Sequence, residues 1–231
     1  MPSPVEPAEP SPDAQLGDGA LLRRTDRTKV RRLADRGRYE RALVHEILDE
    51  AYLAHVGFVV DGQPRVLPMA YGRDGDVLYL HGAVGNAMLR ASAGAEVCVT
   101  VTLLDGLVLA RSAFHHSMNY RSVVLLGPAT KVEDPAEKRR AFDVIVDHVL
   151  PGRSQVARPA NDHEVRSTLV LRLPIDEGSA KVRTGPPKDD AEDLDLPVWA
   201  GVVPLRLVAD DPVQDPAQTA TLPIPVATRP G

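Results

Sequence analysis

The sequence predicts a mainly β protein: a six-stranded antiparallel barrel with a few peripheral helices. Three observations carry this. Short apolar runs such as "YLAHVGFVV" and "DVLYLHGA" are separated by the turn signals "DGQ" and "RDGD", whose Asp-Gly steps suit hairpins. "EVCVTVTL" alternates apolar and small polar residues with the two-residue period of a half-buried strand. Helical periodicity is confined to a few segments, and closing a sheet on itself removes its exposed edges.

The 231 residues, 43% of them hydrophobic, suffice for a proper core. A net charge of -5 argues against a general nucleic-acid-binding role, which calls for an excess of Lys and Arg. The lone cysteine, Cys98, allows no internal disulfide and fits a reducing compartment. "MPSPVEPAEPSPDAQLGDG" has acids and prolines where a signal peptide has basic and apolar residues. No apolar run approaches the roughly 20 residues needed to span a bilayer. A cytoplasmic protein with no membrane partner is expected. Residues 1–22 and 209–231 are rich in Pro and poor in groups to bury, and read as flexible tails around one folded unit, 23–208.

Within that unit, "RYERALVHEILDEA" places Tyr39, Leu43 and Ile47 at i, i+4, i+8 and predicts an amphipathic helix. The basic stretch before it, Arg23 to Arg41, offers charge for a phosphate, but Asp26, Asp35 and Glu40 interrupt it and favour a solvated helical face. Three strands in a meander follow, from "YLAHVGFVV", "QPRVLPMAYG" and "DVLYLHGA". Next comes a short helix in "GNAMLRASAG", closed by Gly94.

The strand around Val97, Val99 and Val101 should turn back at Asp105-Gly106, and the next should run from about Asn119 to Val132. Asp134 then caps a helix with Pro135 at its first position, Glu137 completing a capping box and Phe142, Ile145, Val146 and Val149 forming its apolar stripe. "RSTLVLRLPI" and "SAKVRTG" supply the closing strands.

Known chemical motifs are scarce. The chain has no Gly-x-Gly-x-x-Gly after a strand, no Walker loop, no Gly-x-Ser-x-Gly and no His-Glu-x-x-His or Cys-x-x-Cys spacing, so no metal site is expected. His81 ends a strand, where a histidine is either a hydrogen-bonded rim residue or a functional one. The backbone from Gly82 to Asn86 offers free amides at a helix start. Asn119-Tyr120-Arg121-Ser122 makes both faces of one strand end polar, with Tyr120 and Ser122 on the face opposite Arg121, which suits a pocket or an interface better than a core.

"PRVLPMAYGRDGDVLYLHGAVGNAMLRA", "EVCVTVTLLDGLVLARSAFHHSMNYRSVVLLGPATKVED" and "SAKVRTGPP…VWAGVVPL" together resemble the flavin-nucleotide-binding branch of the pyridoxamine 5'-phosphate oxidase-like family, which is also similar to the nitroimidazole-resistance reductases. The resemblance covers roughly Arg38 to Leu205 in order. It implies a split β-barrel homodimer with FMN in two equivalent sites between subunits. Arg65, Val66, Leu67, Pro68 and Met69 would then lie along the flavin ring, with Leu80, His81 and Gly82 at its edge and Gly85 and Asn86 near the phosphate. Asn119, Tyr120, Arg121, Ser122, Lys181 and Trp199 would come from the partner subunit.

The resemblance thus implies an FMN-dependent oxidoreductase acting on a small molecule, with His81 as the catalytic residue that donates a proton or orients substrate. Ala87 departs from the family's basic residue at this position, which would shift phosphate recognition to Arg90 or Arg121. The competing reading is a non-enzymatic flavin or haem binder for storage or sensing, with His45, His55, His115 or His116 as haem ligand. Classical pyridoxamine-phosphate oxidation is disfavoured, because "KVRTGPPKDD" stands where that chemistry requires an "NRLHDR"-like motif.

Overall fold

The computed structural model describes residues 19–220, and the outer parts of both expected tails, residues 1–18 and 221–231, lie outside them. The core sits between two antiparallel sheets. In the larger, the strand order is β1 (Gly37–Arg38), β10 (Glu177–Arg183), β7 (Ser117–Pro128), β6 (Glu96–Leu109), β2 (Ala54–Val60) and β3 (Gln63–Met69), with β11 (Gly201–Pro204) added to β6. The smaller sheet runs β4 (Tyr71–Asp74), β5 (Val77–Ala83), β9 (Thr168–Pro174) and β8 (Thr130–Lys131).

Mainly β antiparallel architecture with a few helices is therefore as expected, but the strands number eleven, in two sheets, among the described residues rather than six. The expected meander is also split. The run "QPRVLPMAYG" divides at Ala70: β3 pairs with β2, whereas β4 pairs with β5 in the other sheet. One extended segment thus serves both walls of the core.

The inner faces supply that core. Val56, Phe58, Val97, Val99, Val101, Val123 and Leu125 of the larger sheet pack with Leu78, Leu80, Leu169, Leu171 and Leu173 of the smaller. Helix α1 (Arg41–Glu50) adds the buried Val44, Ile47 and Leu48. Its carboxyl end is fixed by the buried Tyr71, whose hydroxyl donates to the carbonyl oxygens of Leu48 and Ala51 at 2.5 and 3.1 Å. Each such buried aliphatic side chain contributes about 1.5–3 kcal/mol relative to exposure.

Asp105-Gly106 does not reverse the chain. β6 runs straight through it, and the register with β7 shifts between Leu104 and Gly106, so the pair forms an irregularity of the bulge type. The apolar residues on both sides, Leu103-Leu104 and Leu107-Val108, continue the ladder, and the bulge accommodates the extra residue.

Helix α3 (Pro135–Val149) begins as predicted: the Asp134 carboxylate accepts hydrogen bonds from the amides of Ala136 and Glu137, both at 3.2 Å. The capping box is corrected, because Glu137 receives the Tyr79 hydroxyl at 3.2 Å and lies 3.4 Å from Arg172. A complete box forms instead at Asn161–Glu164, opening α4 (Asp162–Ser167). Helix α3 lies on the outer face of the smaller sheet, where Ala141 and Ile145 join Tyr79, Val132 and Val170 in a second cluster. It comes so close at Gly72 that a Cβ there would stand 2.9 Å from the backbone of Ile145 and Val144.

Candidate functional site

Two regions gather the residues singled out above. The first is the outer face of the larger sheet. Register places Pro68 opposite His55, His55 opposite Thr100 and Thr100 opposite Val124, which defines one outward row from β3 to β7. Thr102, Ser122 and Lys181 form another row, and Leu104, Tyr120 and Arg183 a third. Apolar side chains stand open among them: Val59, Val66, Leu104, Leu107 and Met118 are 60, 63, 44, 37 and 50% exposed.

On this face Val66 and Pro68 are exposed on β3, while Leu67 and Met69 turn inward against the core and Arg65 is exposed on their side of the strand. Ser122 Oγ donates to the Lys181 carbonyl at 3.4 Å. β3 and β7 are three strand steps apart, about 14 Å at the usual interstrand spacing. The two expected halves of a flavin site therefore share one face without meeting inside one protomer.

Arg121 stands apart from its strand neighbours. It shares the inward side of β7 with Val123, and its guanidinium is held by two carboxylates. Nη1 and Nη2 bind Glu50, the latter at 2.7 Å, and Nε and Nη2 bind Asp105 at 3.1 and 2.8 Å. Its charge is neutralised within the protomer, a placement that differs from the expected one at a flavin phosphate. The signal in the sequence was the need of a strand arginine for a partner; Glu50, 71 residues away, was not legible.

Asn119 is buried as well, accepting from Arg183 Nη1 through Oδ1 and donating to the Gly185 carbonyl at 3.2 Å. Trp199 is 64% exposed and lies against Gly201, at the start of β11.

The second region surrounds His81. Leu80 and His81 point to opposite sides of β5: Leu80 is fully buried in the main core, whereas His81 faces the helices on the outer side of the smaller sheet. There it lines a cavity of about 290 Å³ formed with Phe142, Ile145 and Val146 of α3, the stretch from Ser154 to Ala160, and Glu164 and Thr168. His81 Nδ1 is buried without a hydrogen-bond partner among the described residues. Burial pushes the imidazole below its ordinary pKa, so at neutral pH it is uncharged and carries one N–H and one lone pair. Arg158 at the cavity is engaged by Glu164, at 2.7 and 3.2 Å.

The turn after His81 is tightly built. Helix α2 (Ala87–Ser92) starts with the Asn86 side chain accepting from the Leu89 amide at 3.2 Å. Gly82 lets that helix approach, because a Cβ there would stand 2.4 Å from a Leu89 methyl. Gly85 has open space beside it.

The other histidines are engaged or exposed. His45 Nε2 lies 2.9 Å from Asp76, His115 Nε2 3.1 Å from Asp190, and His116 Nδ1 2.9 Å from the Ser112 carbonyl, while His55 is exposed on the outer face. No group of His, Cys, Asp and Glu suited to a metal ion occurs among the described residues. Nor is any helix among them long and apolar enough to cross a membrane.

Two sheets around one core, a helix over the smaller sheet and an open apolar face on the larger define the class of protein to which known chains can be compared. The family model for pyridoxamine 5'-phosphate oxidase matches residues 40–182, and the chain belongs to that family. Among solved structures, it is similar to the flavocytochrome Anf3 from Azotobacter vinelandii, at 43% identity over 87% of this chain and 94% of that one, with a TM-score of 0.82. The FAD and heme binding protein from Mycobacterium smegmatis is 39% identical, with 82% and 94% of the two chains covered and a TM-score of 0.79. A structure from Bacteroides thetaiotaomicron VPI-5482, assigned to 5-nitroimidazole antibiotic resistance, is 30% identical over 62% of this chain and 84% of that one, with a TM-score of 0.52. None of the curated proteins compared with this chain matches it.

Proposed function

We propose that this chain is a cytoplasmic, flavin-dependent oxidoreductase that works as a homodimer on a small molecule, with the flavin seated between the outer sheet faces of two protomers. One observation carries the reading. Pro68 and Val66 on β3 and Ser122 and Lys181 on β7 and β10 share an uncovered apolar face, yet stand too far apart for one ring to bridge within a protomer. A second copy related by a two-fold axis brings one copy's β3 to the other's β7, and the same association covers the open apolar side chains.

A flavin requires apolar walls, a few hydrogen bonds and a counter-charge for its phosphate, and this face offers the first two directly. When bound, it supplies the electron-transfer chemistry. The chain's own residues do the rest: Val66 and Pro68 form a wall that excludes water, and the Ser122 hydroxyl orients the polar edge. The resemblance pointed to FMN; the name of the Mycobacterium smegmatis relative, an FAD and heme binding protein, instead favours FAD.

Purified protein should be yellow, absorb near 450 nm and elute as a dimer. A colourless monomer that gains no flavin on incubation with FMN or FAD would refute the reading. The separate expectation that His81 acts in turnover is tested by His81→Ala, which should keep the flavin and lose reduction of the acceptor.

A second reading has its own observation. Both of those relatives are named for haem as well as flavin, or as a flavocytochrome, and His81, uncharged and with Nδ1 unpartnered among the described residues, lines a cavity of mixed apolar and polar character. Under this reading His81 is an axial ligand, and the earlier candidates His115 and His116, which already have partners, and His45, whose Nε2 lies 2.9 Å from the Asp76 carboxylate, give way to it. A Soret band that His81→Ala shifts or abolishes supports it. A Soret band unchanged by that substitution, or a chain that takes up no haem, counts against it.

A further inference from the structure

We propose that Arg36, Lys181 and Arg183 form an anion site for the diphosphate of a dinucleotide, which makes this chain select FAD over FMN. The choice of ligand rests on the flavin reading; the site itself rests on the following geometry.

Arg183 is 6% exposed, yet its guanidinium reaches only neutral oxygens: the Asn119 side chain and the carbonyls of Gly185 and Pro186, the last two at 3.2 Å. Its Nε has no hydrogen-bond partner among the described residues. A buried cation without an opposing charge is costly. Arg23, Arg27, Arg73, Arg121 and Arg139, by contrast, each meet a carboxylate. No acidic group among the described residues lies within ion-pair distance of Arg36, Lys181 or Arg183.

Strand register then collects further groups around it. Lys181 pairs with Ser122 and Arg183 with Tyr120, and Gly37, next to Arg36, pairs with Lys181. Arg36 is close enough to Arg183 for their charges to repel, which lowers the affinity of Arg183 for its proton after burial has done most of that. Two like charges held together beside two hydroxyl groups, with no carboxylate between them, are stabilised when a doubly charged anion arrives.

The patch also lies on the sheet face expected to hold the flavin, while the turn at Gly85-Asn86 is followed by Ala87 in place of a base. Phosphate recognition that this turn lacks is thereby supplied by β10. The diphosphate of FAD and that of a nicotinamide dinucleotide share the required chemistry, and binding measurements separate them.

The test titrates flavin-free wild-type protein and Arg36→Glu with FAD, FMN, riboflavin and NADP⁺. Thermal unfolding verifies that the variant is folded, and Arg183→Lys serves as a milder second variant. Wild type should bind FAD at least about tenfold more tightly than FMN. Arg36→Glu should remove most of that preference, about tenfold or more in FAD affinity, and leave riboflavin unchanged. A loss of NADP⁺ binding with FAD unaffected keeps the anion site and assigns it to the electron donor. Equal affinities of wild type and both variants for FAD and for NADP⁺ overturn the proposal. Wild type that binds no flavin at all refutes the flavin reading alone, because competition between NADP⁺ and inorganic pyrophosphate still reports on the anion site.

Discussion

Arg27 grips the buried carboxylate of Glu177 with two hydrogen bonds, Nε to Oε1 at 2.7 Å and Nη2 to Oε2 at 2.8 Å. Thr25 Oγ1 donates to the same carboxylate at 2.5 Å and Arg23 Nη2 at 3.0 Å. Leu22, 3% exposed, is buried beside this clasp, so the amino-terminal arm is fastened to β10. Hydrogen bonds from Arg27 and then Thr25 hold the Glu177 pKa down at about 2, against the opposing effect of burial.

The sign of the resulting pH dependence is fixed. Unfolded, Glu177 binds a proton near its ordinary value of about 4.3; folded, it resists until about pH 2. Its contribution to stability is therefore complete above about pH 5 and disappears as the pH falls toward 2. Urea unfolding across that range should show a decline that Glu177→Gln flattens while lowering stability at pH 7. An acid limb of equal slope in the variant would show that Glu177 does not carry it.

His81 predicts a dependence at higher pH. Because its folded pKa lies below that of the unfolded chain, the unfolded state takes up the proton first, and stability drops as the pH is lowered through the ordinary histidine range of about 6.5. His81→Phe should remove part of that slope. NMR titration of the ring should place its midpoint below the ordinary histidine value of about 6.5, and a midpoint at or above that value would contradict the assignment.

Gly72→Ala should destabilise the fold by about 1–3 kcal/mol. The new methyl meets helix backbone at 2.9 Å, so α3 must move off the sheet or the strand must bend. Gly75→Ala meets no atom within 4 Å but sits at φ +55°, so its cost is one of backbone conformation. Chemical denaturation of both variants separates the two causes; an unperturbed Gly72→Ala midpoint would place α3 farther from β4.

Arg121→Met should cost about 1.5–3 kcal/mol, because Glu50 and Asp105 each lose a charged donor and the like charges that the arginine held together are no longer bridged. Adding Glu50→Gln should restore part of the loss. A double variant no more stable than the single one would show that like-charge repulsion is not what the arginine relieves.

Much of the fold was legible in the sequence because its local signals act alone. Asp134-Pro135 announces α3 without reference to anything distant, and Val97, Val99 and Val101 announce their strand. Errors arose where a local signal competed with a long-range partner. Asp105-Gly106 reads as a turn, but the ladder on either side is continuous and a bulge costs less than breaking it. Ala70 carries no mark of the change of sheet, since both halves of that run are equally extended. The basic stretch before α1 reads as a solvated face, because Glu177 lies about 150 residues away.

For the candidate site the division is similar. His81 stood out by its position at a strand end, but its cavity depends on residues 142–168, whose contribution emerges only in three dimensions. The buried, charge-unpaired state of Arg183 left no trace in composition or spacing.

The placement of β10 has a further consequence for how the chain is made. β7 and β1 both pair with this strand, one of the last in sequence. Until residue 183 has left the ribosome, β7 presents a long unpaired backbone edge, and nothing synthesised earlier can occupy it. A nascent chain stalled before that point exposes a ready template for pairing with its neighbours on the same message. Completion of Glu177–Arg183 is the event that ends the exposure.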